Sequence, residues 1–81
     1  MDKGIVIVKV DSLKEEYELE IPLNISVKEL CAALNTALKL DDRGVEISGY
    51  YIRTENPTCF LKGNDILKDY NISFGSKIIL I

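Results

Sequence analysis

The residues that could do chemistry are few. There is no histidine, and the only thiols are Cys31 and Cys59. Without His the commonest general base, the Ser-His and Cys-His nucleophile pairs and imidazole metal ligands are all missing. Two cysteines fall short of a four-thiolate zinc or iron–sulfur site within one chain. Cys31 falls on an apolar helical stripe, where a packing thiol is expected rather than a nucleophile. Cys59 opens a strand with no basic neighbour in sequence and is also read as structural. Asp41-Asp42 follow a helix and read as solvated acids rather than a cation site. Lys62-Gly63-Asn64-Asp65 lacks the Gly-x-x-x-x-Gly-Lys pattern of a phosphate-binding loop. No catalytic, cofactor-binding or metal-ligating residue is therefore expected.

Charge and length narrow the remaining classes. The chain has 81 residues, 10 Lys+Arg and 13 Asp+Glu, for a formal net charge of -3. Acids and bases are spread evenly over both halves, so there is neither a basic arm nor an acidic tail. That argues against nucleic acid as a partner. No run approaches the roughly 18 apolar residues of a membrane span, and the start does not read as a signal peptide. The expectation is a cytoplasmic chain without direct membrane insertion, its thiols reduced and no Cys31–Cys59 disulfide formed. One small domain over residues 1–81 accounts for the whole sequence.

The elements follow from periodicity. Ile5-Val6-Ile7-Val8-Lys9-Val10 is β-branched and stops at Asp11-Ser12. Alternation turns Val6, Val8 and Val10 inward and Ile5, Ile7 and Lys9 outward. Glu16 to Ile21 alternates strictly, with Tyr17, Leu19 and Ile21 inward, three glutamates outward and Pro22 at its end. The polar link between them predicts an antiparallel hairpin. Ser26-Val27-Lys28-Glu29 is a capping box. Val27, Leu30, Cys31, Leu34 and Leu38 then trace one face of a helix of about four turns. Strands follow at residues 50–54 and 59–61, around the Asn56-Pro57-Thr58 turn. A short helical turn at 66–70 precedes the apolar strand Lys77 to Ile81. Tyr70 is expected to tie its hydroxyl to loop backbone.

This order, ββαββ with one main helix, predicts an α+β β-grasp fold: a mixed sheet of four to five strands with the helix packed on one face. The last strand should be central and parallel to the first. The expected core is Val6, Val8, Val10, Leu19, Ile21, Val27, Leu30, Leu34, Ile52, Leu61, Leu67, Ile78 and Leu80. One helix covers only one sheet face. On the other, Ile5, Ile7, Ile79 and Ile81 should line up beside Arg53, an apolar patch of the kind that marks a partner site or a homodimer contact.

Leu67-Lys68-Asp69-Tyr70-Asn71-Ile72, followed by an apolar last strand, resembles the Leu-x-Asp-Tyr-Asn-Ile stretch of ubiquitin and its relatives. So does the capped helix after Ile21-Pro22. Tyr51-Ile52-Arg53, the Asn56-Pro57-Thr58 turn, Phe60 and the spacing to Leu67-Lys68-Asp69 are similar in pattern to YukD-type proteins, bacterial ubiquitin-like proteins of WXG100, or type VII, secretion systems. The resemblance implies a non-catalytic, cytosolic accessory or regulatory component of a membrane secretion machine, held near the inner face of the membrane through a protein partner. The other reading is a ubiquitin-like modifier or sulfur carrier, whose terminal carboxylate is adenylated on a flexible Gly-Gly tail. The sequence ends Ile79-Leu80-Ile81 without that pair, so conjugation is not expected.

Overall fold

The computed structural model describes residues 2–81. Five strands form one sheet: β1 (Lys3–Val10), β2 (Glu15–Pro22), β3 (Tyr51–Glu55), β4 (Cys59–Lys62) and β5 (Lys77–Leu80). Their order is β2-β1-β5-β3-β4. β1 and β5 are parallel, and the other neighbours are antiparallel. The near-continuous apolar run of β5 therefore sits at the centre, as its composition predicts. Pro22 closes β2 on a sheet edge, where its missing N–H costs nothing.

The helix α1 (Val27–Ala37) is three turns, one shorter than its apolar periodicity suggests. All four amide groups of its first turn are satisfied. Val27 N donates to the Asp65 carbonyl (3.0 Å) and Lys28 N to the Gly63 carbonyl (3.0 Å). Glu29 N donates to Ser26 Oγ (3.2 Å), and Ser26 N donates back to Glu29 Oε1 (3.1 Å), completing the capping box. The helix ends early because Lys39 adopts a left-handed φ of 53°. That reversal turns Leu40 back under the sheet, where it is fully buried. Leu40 N and Val45 N then bond to the carbonyls of Asn35 and Leu40, closing the loop.

Twelve of the thirteen expected core residues are buried. The exception is Leu19, which is only partly covered although it faces the core. α1 lies over the β3 and β4 side of the sheet, so the far edge strand β2 receives less of its shelter. Loop residues complete the core instead. Leu23, Leu40, Val45 and Ile72 are all buried, and Cys31 joins them as a packing thiol. Burial pushes the Cys31 thiol pKa up, away from the reactive thiolate.

The short 3₁₀ helix (Leu67–Tyr70) occupies the position expected for a helical turn. Asp65 is its organiser. One carboxylate oxygen accepts from Lys62 N (2.9 Å) and the other from the Tyr70 hydroxyl (3.1 Å). The phenol thus ties to a side chain rather than to loop backbone, and this bond raises its pKa. Two buried hydroxyls fasten the other end of the sheet. Thr54 Oγ1 donates to the Pro57 carbonyl and Ser76 Oγ to the Asn56 carbonyl, each at 2.7 Å.

Candidate interaction surface

The sheet face opposite α1 is built by the outward residues of all five strands. Register sets them in rows. Ile5 lies opposite Glu20, and Ile7 lies between Glu18 and Lys77. Lys9 lies between Glu16 and Ile79, and Arg53 lies between Ile79 and Phe60. Tyr51 lies opposite Lys62. Ile81 follows β5, and its carbonyl accepts from Ser48 N (2.8 Å). The five residues singled out from the sequence, Ile5, Ile7, Arg53, Ile79 and Ile81, accordingly share this face.

They do not form one cluster. On β5 the lateral neighbour of Ile7 is Lys77, and on β1 the neighbour of Ile79 is Lys9. The two lysines divide the isoleucines into a pair at each end. Nor is Ile79 a free apolar surface, since only 5% of it is exposed. It occupies the central strand, with Lys9 and Arg53 as its lateral neighbours on the two adjoining strands. Ile5 and Ile81 are exposed, and Ile7 is half-buried.

The larger apolar area is aromatic, and the isoleucine pattern gives no hint of it. Phe60 is 59% exposed, and its ring stacks on Tyr51 with centroids 5.4 Å apart. Tyr50 meets Tyr51 edge-on at 4.9 Å. Ser48 fixes this approach to β3, its Oγ accepting from Tyr50 N and Tyr51 N. The alternation of Tyr51, Arg53 and Glu55 along β3 was the available signal, because it puts Tyr51 beside Arg53 on the same face. Phe74, in the turn before β5, is the most exposed large apolar residue among the described residues at 78%, and only its place in a polar loop foretells that.

Electrostatics on this face turn on Lys77. Its Nζ donates to Glu16 Oε2 at 3.0 Å and lies 3.9 Å from Glu55 Oε1. The bond to Glu16 holds the Lys77 pKa up, and Glu55 adds to the effect. Away from the face, Cys59 is partly buried and unpaired. Asp41 accepts from Asn35 Nδ2 at 3.2 Å, and Asp42 is exposed.

A family model described as "WXG100 protein secretion system (Wss), protein YukD" matches residues 5–80. The chain belongs to the YukD family. Solved structures place this YukD-family chain in the ubiquitin-like fold. The ubiquitin-like domain of an Arabidopsis thaliana protein superposes with a TM-score of 0.69 at 17% identity, over 100% of this chain and 78% of that one. The C-terminal ubiquitin-like domain of mouse tubulin-specific chaperone e gives 0.68 at 15% identity, over 98% and 84%. The UBL domain of Plasmodium falciparum Dsk2 gives 0.58 at 20% identity, over 98% and 99%. At these identities the likeness is one of fold. A comparison with curated proteins gives no match. Among the described residues no helix is long and apolar enough to cross a membrane.

Proposed function

We propose that this YukD-family protein is a non-catalytic interaction module. It serves as a cytosolic accessory or regulatory component of a type VII secretion system. It docks a protein component of that machine on the open sheet face, through exposed Ile5, Arg53 and Ile81 and half-buried Ile7, with buried Ile79 supporting the centre of that face. One observation carries the reading. The sheet face away from α1 presents exposed Ile5, Tyr51, Phe60 and Ile81 among its charges. Single exposed apolar side chains are ordinary, but a face that gathers several is the usual form of a partner surface.

The test is site-directed photo-crosslinking in cells that carry the secretion system. A photoreactive residue at position 7, 53 or 81 should crosslink to a secretion component. The same residue at Ala33 on the outer side of α1 should not. Crosslinks from Ala33 alone would move the functional surface to the helix. Crosslinks from the sheet face only to a second copy would replace the module by a homodimer.

A further inference from the structure

Resting on the open-face reading, a finer feature specifies the chemistry of what docks there. Three cations, Lys9, Arg53 and Lys62, lie at one end of the face around Ile79, Tyr51 and Phe60. None of the three forms an ion pair among the described residues. The reason is specific. The carboxylates that flank them are Glu16, opposite Lys9, Glu55, two residues along β3 from Arg53, and Asp65, three residues past Lys62. Glu16 and Glu55 are drawn to Lys77 instead, and Asp65 is held by Lys62 N and the Tyr70 hydroxyl. A chain with a formal net charge of -3 thus carries a local cluster of uncompensated positive charge around aromatic surface. Beside it, at the β3–β4 turn, is a recess of about 320 Å³ lined by Arg53, Glu55, Thr58, Phe60 and Ile79.

The geometry points to an acidic polypeptide segment with one bulky apolar side chain as the occupant. The apolar side chain enters the recess beside Phe60 and Ile79. Carboxylates before and after it meet Arg53 and Lys62, with Lys9 two strand spacings from β3 at the margin. The bidentate Arg53 fork suits a carboxylate, and the rings of Tyr51 and Phe60 supply the apolar contact.

Width separates this occupant from an anionic membrane. Glu16, Glu18 and Glu20 face the same way on β2, three strand spacings, or about 14 Å, from β3. A flat bilayer large enough to meet Arg53 and Lys62 would also meet that acidic row. A single segment along β3 and β4 would not. A second copy is disfavoured on chemistry. It would offer the same glutamate row, but the apolar side chains of its β2 point into its own core and leave no anchor.

The test is a titration of the ¹⁵N-labelled protein with three synthetic twelve-residue peptides. One alternates Glu and Asp around a single Phe, one replaces every acid by Lys, and one replaces the Phe by Ala. The acidic Phe peptide should shift the amides of Arg53, Phe60, Lys62 and Ile79. Its affinity should fall about tenfold on removing Phe and several-fold between about 50 and 500 mM salt, as a surface electrostatic contact does. Arg53→Glu and Lys62→Glu should each weaken binding about tenfold, and Lys62, on an edge strand, keeps the test valid if Arg53→Glu misfolds.

Equal or better binding of the Lys peptide on the same amides would overturn the acidic assignment and leave the open-face reading standing. Shifts confined to α1 would overturn both. Vesicles with 30% phosphatidylglycerol that bind through these amides, when the peptide does not, would replace the peptide by a membrane. Shifts that follow protein concentration alone would replace it by a second copy.

Discussion

Arg43, in the loop after the helix, donates from Nη1 to the hydroxyl of Tyr17 on β2 at 2.8 Å. Tyr17 in turn donates to Glu15 Oε1 at 2.6 Å, and Nη2 of Arg43 bonds that same oxygen. The contact fastens the 39–45 loop, and with it Leu40 and Val45, over the edge that α1 leaves open. Arg43→Ala should lower the thermal midpoint slightly and selectively speed hydrogen exchange across residues 39–45. Uniform loss of protection over the sheet would show that the loop is not a separate unit.

Leu34 on α1 and Leu80 on β5 belong to one buried core cluster, both almost fully buried. Truncating either to Ala should cost roughly 2–5 kcal/mol in chemical denaturation. A loss of a few tenths would mean that the site collapses around the missing atoms.

Ile79 and Ile7 share a face but not a burial. Ile7→Lys should leave the far-UV circular dichroism and the denaturation midpoint close to wild type. Ile79→Lys should cost roughly 1–3 kcal/mol, because the new ammonium starts from a position with almost no access to water. The sequence alone equates the two substitutions. Equal midpoints for both would show that a long side chain at position 79 reaches water without disturbing its neighbours.

Gly63 carries a φ of +38°, and a Cβ there would meet the ring of Tyr50 at 2.6 Å. Its carbonyl is also a partner of the helix N-terminus. Gly63→Ala should therefore destabilise the fold by about 1–3 kcal/mol. Combining it with Tyr50→Ala should recover the steric part and leave the backbone part. Full recovery would assign the whole effect to the ring.

Two carboxylates sit below their ordinary pKa range, Asp2 through the hydrogen bond from Lys68 and Glu15 through those from Tyr17 and Arg43. A lowered folded pKa contributes stability above the ordinary carboxylate range, lost as pH falls through the folded value. The thermal midpoint should thus stay level from neutral pH down to that range and then decline. Both groups are exposed, so 0.5 M salt should blunt the decline. Asp2→Asn with Glu15→Gln should flatten it. A midpoint that rises in acid would contradict the assignment.

The fold was legible because its signals are local. The capping box at Ser26 and Glu29, the alternation of β2 and the apolar run of β5 each fix an element without tertiary information. Leu40 was not legible. Its burial depends on the left-handed turn at Lys39, which periodicity does not register. The open face was legible as a direction for Ile5, Ile7, Arg53, Ile79 and Ile81, since alternation gives facing. It was not legible as a surface. The burial of Ile79 follows from which side chains stand on the neighbouring strands, and the pairing of β5 with both β1 and β3 decides that. The same pairing brings Lys77 to Glu16 and Glu55, ion pairs whose partners are far apart in sequence.

The pairing of β1 with β5 also sets a clock. Ile7 meets Lys77 and Val10 meets Leu80, so the centre of the sheet joins nearly opposite ends of the sequence. During synthesis at ~5–20 residues per second, the β1–β2 hairpin waits on the order of 3–12 s for its partner strand. Throughout that interval Val6, Val8 and Val10 have no sheet neighbour on the β5 side. Closure of so long a loop is an entropic cost that a domain held by local contacts alone does not meet. The nascent chain, more than the finished one, is the form in which its apolar strands stand open to other chains.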